Sequence, residues 1–355
     1  MTRVFVIAST PVVAEQIGKV LAQSDEITVV RLALHGGDVL QQLHAVSCDI
    51  VAIDGTIEDA AFAETARRIM NTQPMPMVVF GTEDRLHGMR NTVESLNIGA
   101  LSVMPMPEQT DGAGFTAEAH EFAKTLRLMS EIKVVRRWDS GRFESLPKVF
   151  HPDPMEEMLE CSIDVVAIGA SAGGTKALQI IFQTLPPDYP VPILVVQHMA
   201  RGYVGGLARW LADQCPLDFV IAEDGVRPRP GSVYLASDDR HLTVGSDHRI
   251  LLADDESVNG FKPSIARLFS SIHDAYGAHS AAVLLSGMGN DGAAEMRRLF
   301  DAGACTIAQD KETSLIHGIP GEAIKLAAAR FILPVQEISP ALQAVVRRAQ
   351  SAAQD

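Results

Sequence analysis

Short apolar runs alternate with helix-length amphipathic stretches over nearly the whole chain. That alternation predicts parallel strands joined by helical crossovers. In the first part the strands fall at Val4–Ala8, Thr28–Leu32, Ile50–Asp54, Met77–Gly81 and Leu101–Met104. Helical periodicity lies near 11–23, 36–46, 58–71, 86–96 and 114–130. Strand and helix thus recur through residues 1–130 in the manner of a doubly wound domain.

The pattern breaks after Ile132. The segment Val-Val-Arg-Arg-Trp-Asp-Ser-Gly-Arg mixes charge with glycine. His151-Pro152-Asp153-Pro154 cannot continue a helix, because proline lacks the amide hydrogen and restrains the residue before it. Residues 131–161 therefore read as an interdomain linker, with a short helix at Met155–Glu160. Strand-like runs resume at Val165–Ile168, Ile193–Gln197, Leu217–Ile221, Ser232–Leu235, Ala281–Ser286 and Thr306–Gln309. His241–Val244 and Ile250–Ala253, separated by Gly245-Ser246-Asp247-His248, form an antiparallel hairpin. The expected architecture is α/β, with two doubly wound parallel-sheet domains at 1–130 and 162–350.

Composition narrows the function classes. With 355 residues and 47% hydrophobic content, each domain can bury a core, which excludes a disordered protein. The formal net charge of −14 and the lack of a basic patch argue against nucleic acid as a partner. Four scattered cysteines, Cys48, Cys161, Cys215 and Cys305, form no Cys-x-x-Cys pair. The expectation is a reducing, cytoplasmic setting without disulfides, and no metal and no cofactor. No apolar run approaches the ~20 residues of a membrane helix, and the first residues read as a buried strand, not as a secretory signal.

Three loops in the second domain follow buried strands and carry chemistry-bearing residues. Ile168-Gly169-Ala170-Ser171-Ala172-Gly173-Gly174-Thr175 places a serine among small residues at a strand-to-helix turn. Such a turn exposes the hydroxyl and leaves helix N-terminal amides free for an oxyanion. His198 follows Val196-Gln197, and Asp291 lies in Ser286-Gly287-Met288-Gly289-Asn290-Asp291-Gly292. In an open parallel sheet all three strand ends share one crevice. Serine, a general-base histidine and an orienting carboxylate are the parts of an acyl-transfer triad.

Bland readings compete with each residue taken alone. The glycine-rich loop reads more readily as a phosphate or dinucleotide cradle. His198 alone reads as structural, and Asp291 as the cap of the helix after it. Residues 169–173, Gly-Ala-Ser-Ala-Gly, fit the loose Gly-x-Ser-x-Gly pattern, so an ordinary hydrolase stays open on pattern alone. The chain order Ser, His, Asp nevertheless differs from the Ser, Asp, His of α/β-hydrolases. A nucleotide-binding role is disfavoured because the loop is not Gly-x-Gly-x-x-Gly and the second strand ends in Gln-His, not in an acidic residue. The three residues together favour catalysis over a non-catalytic two-domain signalling adaptor.

The second domain resembles the catalytic domain of the chemotaxis receptor protein-glutamate methylesterase (CheB) family. The resemblance rests on Gly169–Gly174, Gln197-His198-Met199, Gly231–Ala236 with Asp239-Arg240-His241-Leu242, Pro263-Ser264-Ile265, Gly287–Ala293, Ala308-Gln309-Asp310 and Gly318-Ile319-Pro320. These motifs occur in family order across 162–335. The resemblance implies Ser171 as nucleophile, His198 as base and Asp291 as its orienter. It further implies that Ala172 and Met288 line the site and offer amides to the oxyanion. The implied substrate is a glutamate γ-methyl ester on the cytoplasmic domain of methyl-accepting chemoreceptors, with deamidation of receptor glutamines as the related reaction. Contact with the membrane is through those receptors only. Three departures stand out: Ala172 replaces the family's usual threonine, Ile319 its usual methionine, and Ala-Arg-Gly-Tyr-Val after His198-Met199 the usual proline-rich stretch. Arg201, near the expected mouth of the site, reads as a solvated surface residue.

Residues 1–128 resemble a response-regulator receiver, which implies a chemotaxis histidine kinase as a partner. Asp54 matches the phosphoacceptor. The acidic pair that would hold Mg²⁺ is replaced by Ala8-Ser9, the hydroxyl residue after the fourth strand by Gly81, and the lysine before Pro107 by Met106. The resemblance is therefore to a degenerate receiver whose Asp54 is not phosphorylated.

Overall fold

The computed structural model describes residues 1–36, 38–82, 100–107, 112–131, 163–199, 201–258 and 260–352. The chain divides into two units, Met1–Gly141 and Arg142–Asp355, each with its own parallel sheet.

The first unit holds strands β1 (Thr2–Ala8), β2 (Ile27–Leu34), β3 (Ile50–Asp54), β4 (Met77–Gly81) and β5 (Ser102–Pro105). They pair in the order β2-β1-β3-β4-β5, parallel throughout. This is a doubly wound order. β3 and β4 are buried at every position, which is why they read as unbroken apolar runs. Helix α1 (Pro11–Leu21) starts where Thr10 accepts a hydrogen bond from the Val13 amide and Pro11 takes the first helical position. Helix α2 is shorter than the periodicity suggests, Val39–His44, because Asp38 caps it through the Gln41 amide. Helices α3 (Asp59–Thr72) and α4 (Gly112–Ser130) also belong to the described part of the unit. The helix expected at 86–96, the linker and its short helix lie outside the described residues.

The second unit contains β6 (Val165–Ala170), α5 (Gly174–Phe182), β7 (Ile193–Gln197), α6 (Val204–Gln214), β8 (Asp218–Ile221) and β9 (Ser232–Leu235). The hairpin β10 (His241–Val244) and β11 (Ile250–Ala253) follows as a separate antiparallel pair in the expected register. Then come α7 (Ile265–Tyr276), β12 (Ser280–Leu284), α8 (Ala293–Asp301), β13 (Cys305–Gln309), α9 (Ile319–Lys325), β14 (Phe331–Leu333) and α10 (Val335–Ala352). β14 is an edge strand too short for the hydrophobic pattern to register. β12 stops at Leu284, not at Ser286, because the Ser286 amide turns away from the ladder to donate to Gln309 Oε1 at 2.8 Å.

The sheet order is β14-β13-β12-β6-β7-β9-β8. β6 and β12 expose no residue, as central strands covered on both faces must. Val165 and Ala167 join Leu194, Val196, Phe269, Met296 and Leu299 in one core, while the intervening Val166 and Ile168 are buried on the opposite face. The chain winds outward from β6 through β7, then returns past β6 to β12. The carboxyl ends of β12, β6 and β7 therefore adjoin where the winding reverses, the place where doubly wound folds build their sites.

Candidate active site

Ser171 directly follows β6. Its amide donates to Ser286 O at 3.0 Å, and its carbonyl accepts from the Gly174 amide at 2.8 Å. Gly173 closes the turn at φ +80, and a Cβ there would lie 2.6 Å from Leu315 Cβ. A Cβ on Gly287 would lie 2.6 Å from Ser171 Cβ, so glycine lets the loop after β12 press against the serine. α5 has no side-chain cap. Among the described residues the amides of Ala172 and Met288 donate to nothing. Both residues, like Ser171, are partly exposed.

His198 follows β7, with its amide on Ala170 O at 2.8 Å. Gln197, the last residue of that strand, donates through Nε2 to the carbonyls of both Ser171 and His198, each at 2.8 Å. One buried amide thus ties the serine loop to the histidine loop. His198 Nε2 lies 3.0 Å from Asp291 Oδ2, with the two side chains 8% and 1% exposed. Both ring nitrogens are buried, and neither makes a hydrogen bond of good geometry among the described residues, so the approach of Nε2 to Asp291 is a close charge contact and Nδ1 has no partner.

Asp291 does not cap α8, the helix that follows it; Gly292 stands at the N-cap of that helix, which has no side-chain cap. It sits instead at the N-terminus of α7. The Ile265 amide donates to Oδ2 at 2.7 Å, and the Ala266 amide and Ser264 hydroxyl donate to Oδ1 at 3.1 and 2.9 Å. Burial pushes this carboxyl up, but His198 and the two amides outweigh burial and hold it below its ordinary value. A charged carboxylate is thereby kept in a nearly dry place, aimed at an imidazole.

Behind it lies a second, fully buried histidine. His241 Nδ1 accepts from the Ser264 amide at 3.2 Å, and Nε2 faces Glu256 O at 3.0 Å, so Nε2 carries the proton. Burial pushes this imidazole below its ordinary value, against the opposing pull of the Glu256 carbonyl. Phe261 stacks on His198. The motifs containing Gln197, His241 and Ser264 are visible in the sequence, but their roles are not. A polar side chain ending the apolar strand Ile-Leu-Val-Val-Gln is the signal that marks Gln197. Arg201 is exposed and paired with Asp239.

At the carboxyl end of β3, Asp54 is fully buried. Its Oδ2 accepts from the Ser9 amide at 2.9 Å and its Oδ1 from the Thr56 amide at 2.8 Å. The hydroxyls of Ser9 and Thr56 meet at 3.0 Å. Ala8 and Met106 are buried. Among the described residues no cluster of three or more His, Cys, Asp or Glu is arranged to hold a metal, and no helix is long and apolar enough to cross a membrane.

The family model described as CheB methylesterase matches residues 166–342. A protein-glutamate methylesterase/protein-glutamine glutaminase of Nitrosospira multiformis is 38% identical over 346 residues, 98% of this chain and 97% of the relative. A second, from Geobacter metallireducens, is 37% identical over 96% of this chain and 98% of the relative. Among solved structures, the CheB methylesterase catalytic domain of Thermotoga maritima is similar at a TM-score of 0.51 and 34% identity, over 52% of this chain and all of that domain.

Proposed function

The chain belongs to the CheB methylesterase family, and from that premise we propose that it hydrolyses glutamate γ-methyl esters on the cytoplasmic domain of methyl-accepting chemoreceptors, with Ser171 as nucleophile, His198 as base and Asp291 as orienter. The observation that carries this reading is the contact of His198 Nε2 with Asp291 Oδ2 at 3.0 Å, on strands flanking the one that delivers Ser171. A non-catalytic adaptor finds no support among relatives that carry an enzyme's name.

In this reading Ser171 Oγ attacks the ester carbonyl carbon while its proton passes to the free nitrogen of His198, Nδ1. Asp291 stabilises the imidazolium so formed. The carbonyl oxygen becomes an oxyanion, received by the unbonded amides of Ala172 and Met288. The carbon–oxygen bond to methoxide then breaks, and His198 returns its proton to release methanol. Water attacks the acyl-serine by the same route, which frees a glutamate carboxylate and restores Ser171. A glutamine side chain follows the same steps with ammonia leaving. The receiver-like unit makes a chemotaxis histidine kinase the class of upstream partner, and the cytoplasm the place of action. Asp54 is held as a structural carboxylate, with both oxygens engaged by backbone amides.

The test is methanol release from methyl-labelled receptor membranes. Ser171→Ala should lower it by at least about a thousandfold with an unchanged melting temperature. Residual release above roughly one part in a thousand would be incompatible with a serine nucleophile.

A further inference from the structure

Between β11 and α7 the described residues 254–258 and 260–264 form a strap from which Phe261 reaches His198. Phe261 lays its ring parallel to the imidazole, with centroids 4.1 Å apart and planes 4° from parallel. The backbone of Phe261 is fixed by reciprocal bonds with Val258, at 3.1 and 2.9 Å. Lys262 pairs with Asp254 at 2.7 Å, and Arg267 pairs with Asp255, so ion pairs tie the far end of the strap and the first turn of α7 back to its start. From inside, His241 holds the carbonyl of Glu256. The segment is thus anchored at several points, and the ring it presents is presented in a fixed plane.

An imidazole approached at Nε2 by Asp291 is located at one edge but stays free to tilt about that contact. A flat ring against its face removes the tilt. We propose that Phe261 is a positioning residue for the reaction: its ring fixes the plane of His198, so that Nε2 stays on Asp291 while Nδ1 keeps one orientation in which to take the nucleophile's proton. This rests on His198 being the base. Phe261 is only partly buried and lies outside the hydrophobic core of the unit, so its removal leaves that core intact. The role requires a planar ring and not merely bulk, and this separates it from gap filling.

The experiment uses the full chain with Phe261→Ala, Phe261→Leu and Phe261→Tyr. The readouts are kcat and KM for methanol release, the melting temperature, and the ring-proton NMR shifts of His198, assigned by their loss in His198→Gln. Phe261→Ala should lower kcat by about 10- to 100-fold with KM within about twofold, the loss expected when a reacting group is misplaced by a fraction of an ångström to an ångström. Phe261→Tyr keeps the ring and should stay within about threefold of wild type, whereas Phe261→Leu should remain about tenfold down. His198 ring protons should lie upfield in wild type and Phe261→Tyr relative to Phe261→Leu. Should Phe261→Ala melt early, the Leu and Tyr variants still decide. A wild-type rate in Phe261→Leu, or a loss confined to KM, overturns the inference while leaving His198 as base. A wild-type rate in His198→Gln overturns the base itself, and the inference with it.

Discussion

Asp54 and Asp291 occupy corresponding places in two different sheets. Each is buried at the carboxyl side of a central parallel strand, and each accepts backbone amides on both oxygens. They differ in what else reaches them. Asp54 meets the amides of Ser9 and Thr56, whose hydroxyls close on each other. Asp291 meets, in addition, an imidazole at 3.0 Å and the positive end of α7. Asp291 is placed to stabilise an imidazolium, a role that needs a titratable neighbour within reach. Asp291 has that neighbour, and Asp54 has none within the contacts described.

Apart from the loss of Asp291 itself, the largest effect that would sharpen this contrast lies at Gln197. Gln197→Leu leaves the His198 carbonyl without its donor, whereas the Ser171 carbonyl keeps the Gly174 amide, and a buried unsatisfied group costs about 1–3 kcal/mol. The melting temperature should fall by several degrees, and kcat should fall by about 10- to 100-fold with KM little changed. An unchanged kcat in Gln197→Leu would show that the two loops hold their places without it.

A smaller effect concerns pH. His241 titrates below its ordinary value because it is buried, so the native state favours the neutral form. Its contribution to stability is present above about pH 6.5 and is lost as pH falls below that. Asp291, held below its ordinary value, contributes stability above about pH 4 that is lost only in stronger acid. Melting temperature measured from pH 8 to pH 5 should therefore decline more steeply in wild type than in His241→Gln. Parallel curves would show that His241 is not held neutral by the fold.

The smallest expected effect is a null. Acetyl phosphate with Mg²⁺ should neither label Asp54 nor change methanol release, because Ala8, Ser9 and Met106 offer neither carboxylate nor ammonium, and both Asp54 oxygens are occupied. Mass-spectrometric detection of a phosphoryl group on Asp54 would erase the contrast between the two aspartates.

Much of this was legible in the sequence. The apolar runs of β3, β4, β7 and β9 mark buried strands because such strands need side chains on both faces. The hairpin at His241–Ala253 was visible as two short runs around a glycine-containing turn. The edge strand β14 was not, since three residues carry too little pattern. In the site, Ser171, His198 and Asp291 are marked by residue type and by position after strands. Their supports are hidden because they come from elsewhere in the chain. The partner of Asp291 is α7, 25 or 26 residues before it, and not the adjacent helix, and the plane of His198 is set by a phenylalanine on a strap. Such pairings arise only when the sheet brings distant loops together.

The most direct measurement compares Asp291→Asn with Asp54→Asn, both in the full chain and on the same methyl-labelled receptor membranes. Each change keeps the size of the side chain and removes its charge. Methanol release should fall by about a thousandfold or more in Asp291→Asn, and stay within about twofold of wild type in Asp54→Asn. Comparable losses in the two variants, or a loss under about tenfold in Asp291→Asn, would contradict the assignment of chemistry to one aspartate and architecture to the other.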